Sequence, residues 1–163
     1  MEKINRLKKL FKREKIDGYL IPKNDEFFDE YISQHNDRLN YISNFTGSYG
    51  FSLILRNENY LFVDGRYTLQ AKKQSGKNFK IFETPYTLPK NLLNILKFKI
   101  GFDPKLFTEK TLEKYFEGKV NLIPYQFNFR NKKKNKSKKI FILSNSVTGE
   151  SSNSKINKIR SYL

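Results

Sequence analysis

Apolar residues recur along this chain with two periods, and each change of period marks an element. In residues 3–15, Ile4, Leu7, Leu10 and Phe11 fall three or four positions apart or side by side. That spacing predicts a helix with one buried stripe and a lysine-rich outer face. Ile16-Asp17-Gly18 stops the helix, Gly18 suiting the turn after it, and Gly18–Pro22 reads as a short buried strand ended by proline. Residues 24–44 are polar and aromatic. Phe27, Phe28, Tyr31 and Ile32 fit a helical turn or two, with acids near its start favoured by the helix dipole. Asn36 or Asp37 is placed to cap a second helix carrying Leu39, Tyr41 and Ile42.

The pattern tightens between residues 45 and 74. Phe45-Thr46-Gly47-Ser48-Tyr49-Gly50 spaces two glycines, which allow positive φ or a close backbone approach. Phe51–Leu55 and residues 60–63 read as strands, and Asn57-Glu58-Asn59 between them predicts an antiparallel hairpin. Asp64-Gly65 closes the second strand, and a helix begins from Arg66, carries Tyr67, Leu69, Gln70 and Ala71, and ends near Gly76. Further on, residues 79–82 form a strand, and Pro89 opens a helix with Leu92, Leu93 and Leu96 at helical spacing. Residues 98–102 form another strand, Thr108 caps a helix ended by Gly118, and 120–123 is a strand closed by Pro124. Strands alternating with short helices, one hairpin among them, predict an α/β fold with a mixed β-sheet flanked by helices.

From Phe127 the texture changes. Residues 130–139, RNKKKNKSKK, hold seven positive side chains and no apolar one. Such a run repels itself and cannot build a core, so it reads as a basic linker between a domain over 1–129 and a segment over 140–163. Ile140-Phe141-Ile142-Leu143 predicts a strand, and residues 155–163 an amphipathic helix whose Ile156, Ile159 and Leu163 stripe stops after about two turns. Lys155-Ile156-Asn157-Lys158-Ile159-Arg160 repeats the pattern of Lys3-Ile4-Asn5-Arg6-Leu7-Lys8. The simplest account is the incomplete start of a second, similar domain.

Composition changes the picture in two places. The 15 Phe and 10 Tyr compensate for few aliphatics and supply enough buried area for a core. No apolar run reaches the ~18 residues of a membrane span, and the charged N-terminus lacks the apolar stretch of a secretory leader. The chain has no cysteine, which excludes disulfides and thiolate chemistry, and a cytoplasmic protein is expected. The formal net charge of +16 raises the question of a polyanionic partner. Lysines are spread over nearly every segment, Lys far outnumbers Arg, and no recognition motif accompanies them. Compositional drift therefore reads ahead of a nucleic-acid partner.

Catalytic chemistry is hard to assemble from these residues. The single histidine, His35, lies in a polar stretch and reads as a surface or structural residue. No metal-binding, phosphate-loop or dinucleotide pattern occurs. Ser48 has no triad around it, Gly47 to Gly50 reads as a turn before an anion cradle, and the acid pairs Asp25/Glu26 and Asp29/Glu30 read as solvated. What remains is recognition. Arg66 follows Asp64-Gly65 at a strand-to-helix corner, where a guanidinium suits bidentate grip of a carboxylate or carbonyl-rich peptide. On spacing alone, an internal salt bridge from Arg66 to Glu30 or Asp64 comes first.

The motifs Tyr19-Leu20-Ile21-Pro22, Glu30-Tyr31-Ile32-Ser33, Phe45-Thr46-Gly47-Ser48 with Gly50, and Asp64-Gly65-Arg66-Tyr67 with Leu69-Gln70-Ala71 and Gln74, occur in this order. Together they resemble the N-terminal, creatinase-like domain of three-domain cytosolic Xaa-Pro aminopeptidases (aminopeptidase P, peptidase family M24B). Ile100-Gly101-Phe102-Asp103-Pro104 continues the match, and residues 140–160 resemble the start of that family's second domain. The resemblance implies a non-catalytic domain of a manganese-dependent enzyme, with the metal and catalytic residues in a C-terminal domain that this chain does not contain. It implies no catalytic residue, metal ligand or cofactor here, and inactivity of the chain on its own. It further implies that Arg66 reaches toward bound peptide, that Glu30 and Asp64 are its partners or dimer contacts, and that a homodimer binds peptides with proline at the second position. The domain would then contribute to peptide binding, active-site access and dimerisation. Where the family often has two arginines, this chain has Arg38-Leu39. The alternative is a stand-alone module binding peptide, or nucleic acid through the basic run.

Overall fold

The short strands and their alternating apolar positions assemble into one sheet in the computed structural model, which describes residues 2–92, 98–129 and 141–162. The strands are β1 (Gly18–Pro22), β2 (Phe51–Leu55), β3 (Asn59–Asp64), β4 (Lys80–Thr84), β5 (Lys99–Phe102) and β6 (Asn121–Pro124). They lie in the order β4-β3-β2-β1-β5-β6. β2 runs antiparallel to β1 and β3, and the other adjacent pairs are parallel. Five strands therefore point the same way, and the β2–β3 hairpin is the reason the sheet is mixed.

Period-two alternation decides which side chain meets which layer. Tyr19, Ile21, Ile54, Leu61 and Val63 face one side, where α1 (Glu2–Arg13), α2 (Arg38–Ser43) and α3 (Thr68–Ser75) contribute Leu7, Phe11, Leu39 and Ala71 to a common core. Leu20, Phe51, Leu53, Tyr60, Phe62 and Ile100 face the other, against α5 (Glu109–Phe116). α4 (Pro89–Leu92) opens with a buried proline; Leu93 and Leu96 of the expected helix fall outside the described residues. The central strands β1 and β2 are buried along their whole length, whereas β4 and β6 at the edges are partly open. This is the α/β architecture the patterning predicts.

α1 buries Ile4, Leu7, Leu10 and Phe11, each side chain contributing about 1.5–3 kcal/mol. Its end differs from expectation: Lys15, with φ of 52°, takes the left-handed position, and Gly18 already belongs to β1. α2 is capped by Asp37, whose carboxylate accepts from the Asn40 backbone N–H. Segment 125–129 returns under α1, with Phe129 buried against Tyr19 and Tyr41.

Two expectations are corrected. Residues 24–36 form turns and bends, with no helix at Phe27, Phe28, Tyr31 and Ile32. The Asp25 carboxylate accepts from the Phe27 N–H at 3.0 Å, Phe28 adopts φ of 60°, and the rings of Phe27, Phe28 and Tyr31 stay in solvent. The turn that Asp25 starts is broken by the left-handed Phe28, and a helix there would have no face to bury. The chain also divides into two compact units, Met1–Phe129 and Arg130–Leu163. In the second, Phe141, Ile142 and Leu143 form no strand, and Ile140 lies outside the described residues. The described elements there are two helices, α6 (Asn145–Thr148) and α7 (Ser152–Ser161), so a strand has no partner to pair with. The linker expected over 130–139 falls outside the described residues.

Candidate recognition site

The five co-directional strands end at one edge of the sheet, the edge where open α/β sheets bind ligands. Pro22, Asp64, Thr84 and Phe102 stand at those strand ends, and Gly50 enters β2 beside them. The glycine turn and the Asp64-Gly65-Arg66 corner are gathered here, while the Asn57-Glu58-Asn59 turn lies at the opposite end of β2 and β3.

Asp64 ends β3 and caps a 3₁₀ turn over Gly65–Tyr67 that leads into α3. Its carboxylate accepts from the Arg66 backbone N–H at 3.0 Å and from the guanidinium Nη2 at 2.7 Å and Nε at 3.2 Å. The Arg66 side chain is nonetheless 72% exposed. Its hydrogen bonds hold the Asp64 carboxyl below its ordinary value, and Asp64 in turn raises the Arg66 guanidinium. The internal salt bridge read from spacing thus forms with Asp64. Glu30 makes no ion pair among the described residues, and acts on Arg66 only as a weak favourable field.

The corner is held from below by Tyr67. Its hydroxyl lies 2.9 Å from Ser48 Oγ, a bond that is the foremost cause of its lowered pKa, and its ring meets Phe45 edge-on at 5.8 Å. The two glycines do different jobs. A Cβ at Gly47 would fall 2.3 Å from the Phe45 ring, so close approach requires glycine; Gly50 has φ of 155°, and a Cβ there would fall 2.8 Å from the Phe62 carbonyl oxygen. With Ser48 engaged and Gly47 packed on rings, the turn is structural. Thr46 is tied to α3 through Gln74 and Gln70.

Two clefts open along the edge. One, of about 410 Å³, is lined by Tyr49, Asp64, Arg66, Thr84, Leu88 and Tyr115. The other, of about 260 Å³, takes in Lys23, Phe28, Glu30, Ser48, Tyr49 and Tyr115. Tyr49 and Tyr115 line both and so divide Arg66 from Glu30. Tyr115 is stacked 4.1 Å from Phe51, and burial raises its hydroxyl well above the usual tyrosine value. Beneath the second cleft, Lys23 and Asp37 form a nearly buried pair at 2.6 Å, and Arg38 reaches Glu26 at 3.7 Å. Leu39, at the position of the second arginine in the family pattern, is fully buried under the sheet.

Tyr49 and Tyr115 escaped sequence reasoning. Tyr49 sits inside the glycine turn, and Tyr115 reads as an ordinary core position of α5. His35 stays in the 24–37 loop, and among the described residues no three His, Asp or Glu side chains converge. No described helix is long and apolar enough to cross a membrane.

The Asp64–Arg66 pair makes a prediction about pH. Asp64 has a depressed pKa in the folded chain, so the pair's contribution is present above the unfolded carboxyl value of 3.8 and is lost as pH falls through the lower folded value. A carboxyl titration followed by NMR is expected to place the Asp64 midpoint below 3.8, and Arg66→Ala to return it toward 3.8. A wild-type midpoint at or above that value would remove the pair.

Residues 3–126 match the family model described as Creatinase/Prolidase N-terminal domain. A probable Xaa-Pro aminopeptidase P of Coprinopsis cinerea is 30% identical over 94% of this chain and 27% of its own length. Xaa-Pro aminopeptidase 1 of Dictyostelium discoideum is 31% identical over 98% of this chain and 29% of its own. The chain thus spans less than a third of these curated relatives. Among solved structures, X-prolyl aminopeptidase of Caenorhabditis elegans, described as a cytosolic enzyme with a di-nuclear active site, superposes with a TM-score of 0.72. It is 24% identical, over 99% of this chain and 30% of that one, and supports the fold.

Proposed function

Because the chain belongs to the Creatinase/Prolidase N-terminal domain family, we propose that it serves a manganese-dependent Xaa-Pro aminopeptidase as a non-catalytic arm, in a cytoplasmic homodimer. The relatives that span it are Xaa-Pro aminopeptidases, and it corresponds to their N-terminal domain. In the complete enzyme, the carboxyl edge of the sheet faces bound peptide, restricts access to the catalytic centre and contributes to the subunit contact. The observation that carries this reading is Arg66: a guanidinium oriented by Asp64, projecting into solvent beside a cleft at the ligand-binding edge of the fold.

The side chains around Arg66 suit those roles. Two of the Arg66 nitrogens face Asp64, and the exposed remainder is available to a peptide carbonyl or carboxylate. Tyr49, Leu88 and Tyr115 supply an apolar wall for a substrate with proline at the second position. The exposed rings of Phe27, Phe28 and Tyr31, beside Glu30, form a rim suited to another subunit.

The purified chain, supplied with manganese and an Xaa-Pro peptide, is expected to release no N-terminal residue. Turnover above that of a mock purification would overturn the non-catalytic reading. Arg66 itself is tested in the complete enzyme below.

A further inference from the structure

The strongest unassigned feature is a groove between α1 and the segment that follows β6. Residues 2–15 hold seven basic and two acidic side chains. Helical spacing sorts them: Ile4, Leu7, Leu10 and Phe11 go into the core, and the cations go out. Arg6, Lys9 and Arg13, at intervals of three and four, fall into one row. That row forms one wall of a groove of about 400 Å³, with Leu10 at its floor and Tyr125, Gln126, Phe127 and Asn128 opposite. No carboxylate lines it.

The opposite wall is built rather than draped. The buried Tyr19 hydroxyl donates to the Tyr125 carbonyl at 2.5 Å and accepts from the Phe127 N–H at 3.2 Å. Phe127 and Phe129 meet the Tyr19 ring edge-on, at 6.3 and 6.1 Å. This clamp turns Gln126 and Asn128 outward, so amide side chains face the row of cations. Arg13 is drawn across by donating to the Tyr125 hydroxyl at 3.0 Å and pairs with Glu14 at 2.7 Å. Arg6 and Lys9 make no ion pair among the described residues. An anion seated along this row would be attracted by all three charges at once.

We infer that this groove binds single-stranded nucleic acid through its phosphates. The row spans about 10 Å along the helix, from the ~1.5 Å rise per residue, which matches an extended backbone carrying successive charges. A concave, positively charged track with polar side chains opposite and an aromatic ring at one end is how sequence-neutral single-strand sites are made. An anionic membrane fits less well. None of the exposed large hydrophobics belongs to α1 or to 125–128, so nothing there would enter a lipid surface. The site is separate from the peptide edge, and its failure would leave the aminopeptidase reading intact.

The test is binding of a fluorescent oligo-uridylate to the purified chain across a salt series. Combined Arg6→Gln, Lys9→Gln and Arg13→Gln is expected to weaken binding at least about tenfold at low salt. It should also make the dependence of log K on log salt shallower by about 2, since each lost single-strand phosphate contact removes about 0.7. A control removes the same three charges elsewhere, at the exposed Lys72, Lys73 and Lys110, and should change affinity less than about threefold. All six positions are exposed, and circular dichroism checks that both variants fold. Equal losses in the two variants, unchanged binding by the groove variant, or no binding by the parent chain overturns the site. Binding of the parent to phosphatidylserine vesicles but not to the oligonucleotide would also overturn it, in favour of a membrane.

Discussion

Arg66→Ala in the complete enzyme is expected to lower kcat/KM for an Xaa-Pro peptide by about 30–100-fold, the loss typical of a charged hydrogen bond to substrate. The argument rests on what Arg66 is not doing in the fold. Its pair with Asp64 is at the surface, with the guanidinium 72% exposed, and such pairs contribute little to stability. The thermal midpoint should therefore barely move while activity falls, a split that a structural residue would not produce. Arg66→Lys separates charge from shape. It retains the positive charge but loses the planar fork that grips a carbonyl or carboxylate in two places, so it should recover only part of the loss. Asp64→Asn should give a smaller fall, since Asp64 orients Arg66 through Nε and Nη2 without meeting the peptide itself. An unchanged kcat/KM in Arg66→Ala would reduce the residue to a surface ion pair and remove the observation that carries the proposed function.

The parts of this fold legible in the sequence are those governed by local rules. The α1 stripe, the hairpin around Asn57-Glu58-Asn59, the Asp37 and Thr108 caps and the Asp64 corner each follow from neighbours a few residues apart, and each is observed. Misreadings occurred where local and tertiary terms conflict. Phe27, Phe28 and Tyr31 have helical spacing, but nothing packs on them, and Phe28 leaves the helical region with φ of 60°. Phe141 to Leu143 have strand composition without a strand to join. The clefts could not be read at all, because Tyr49 and Tyr115 are brought together across sixty-odd residues by the stacking of β2 on α5. Charge is rearranged by folding in a similar way. Averaged along the chain, lysines look evenly spread, whereas folding lines up Arg6, Lys9 and Arg13 against a wall more than a hundred residues away.

The largest effect on the fold itself is expected from Phe51→Ala. Phe51 is 1% exposed and stands in the middle of a stack, with the Phe62 ring 4.6 Å away on one side and the Tyr115 ring 4.1 Å away on the other. It is the point where the hairpin meets α5. Truncation removes the buried ring and leaves a cavity that two rigid neighbours cannot readily fill, a change costing about 3–5 kcal/mol. In urea, the midpoint should fall steeply with little change in slope, because the exposed area on unfolding is nearly the same. Phe51→Leu keeps most of the volume and should cost no more than about 1.5 kcal/mol if the stack closes around it. The consequence reaches the recognition site, since Phe51 backs the Tyr115 ring that separates the Arg66 cleft from the Glu30 cleft. At a temperature where the Ala variant is still folded, the complete enzyme should therefore lose peptide affinity as well, seen as a raised KM. A loss below about 1 kcal/mol for Phe51→Ala would mean that the stack relaxes freely, and that Tyr115 is held in place by α5 rather than by the sheet.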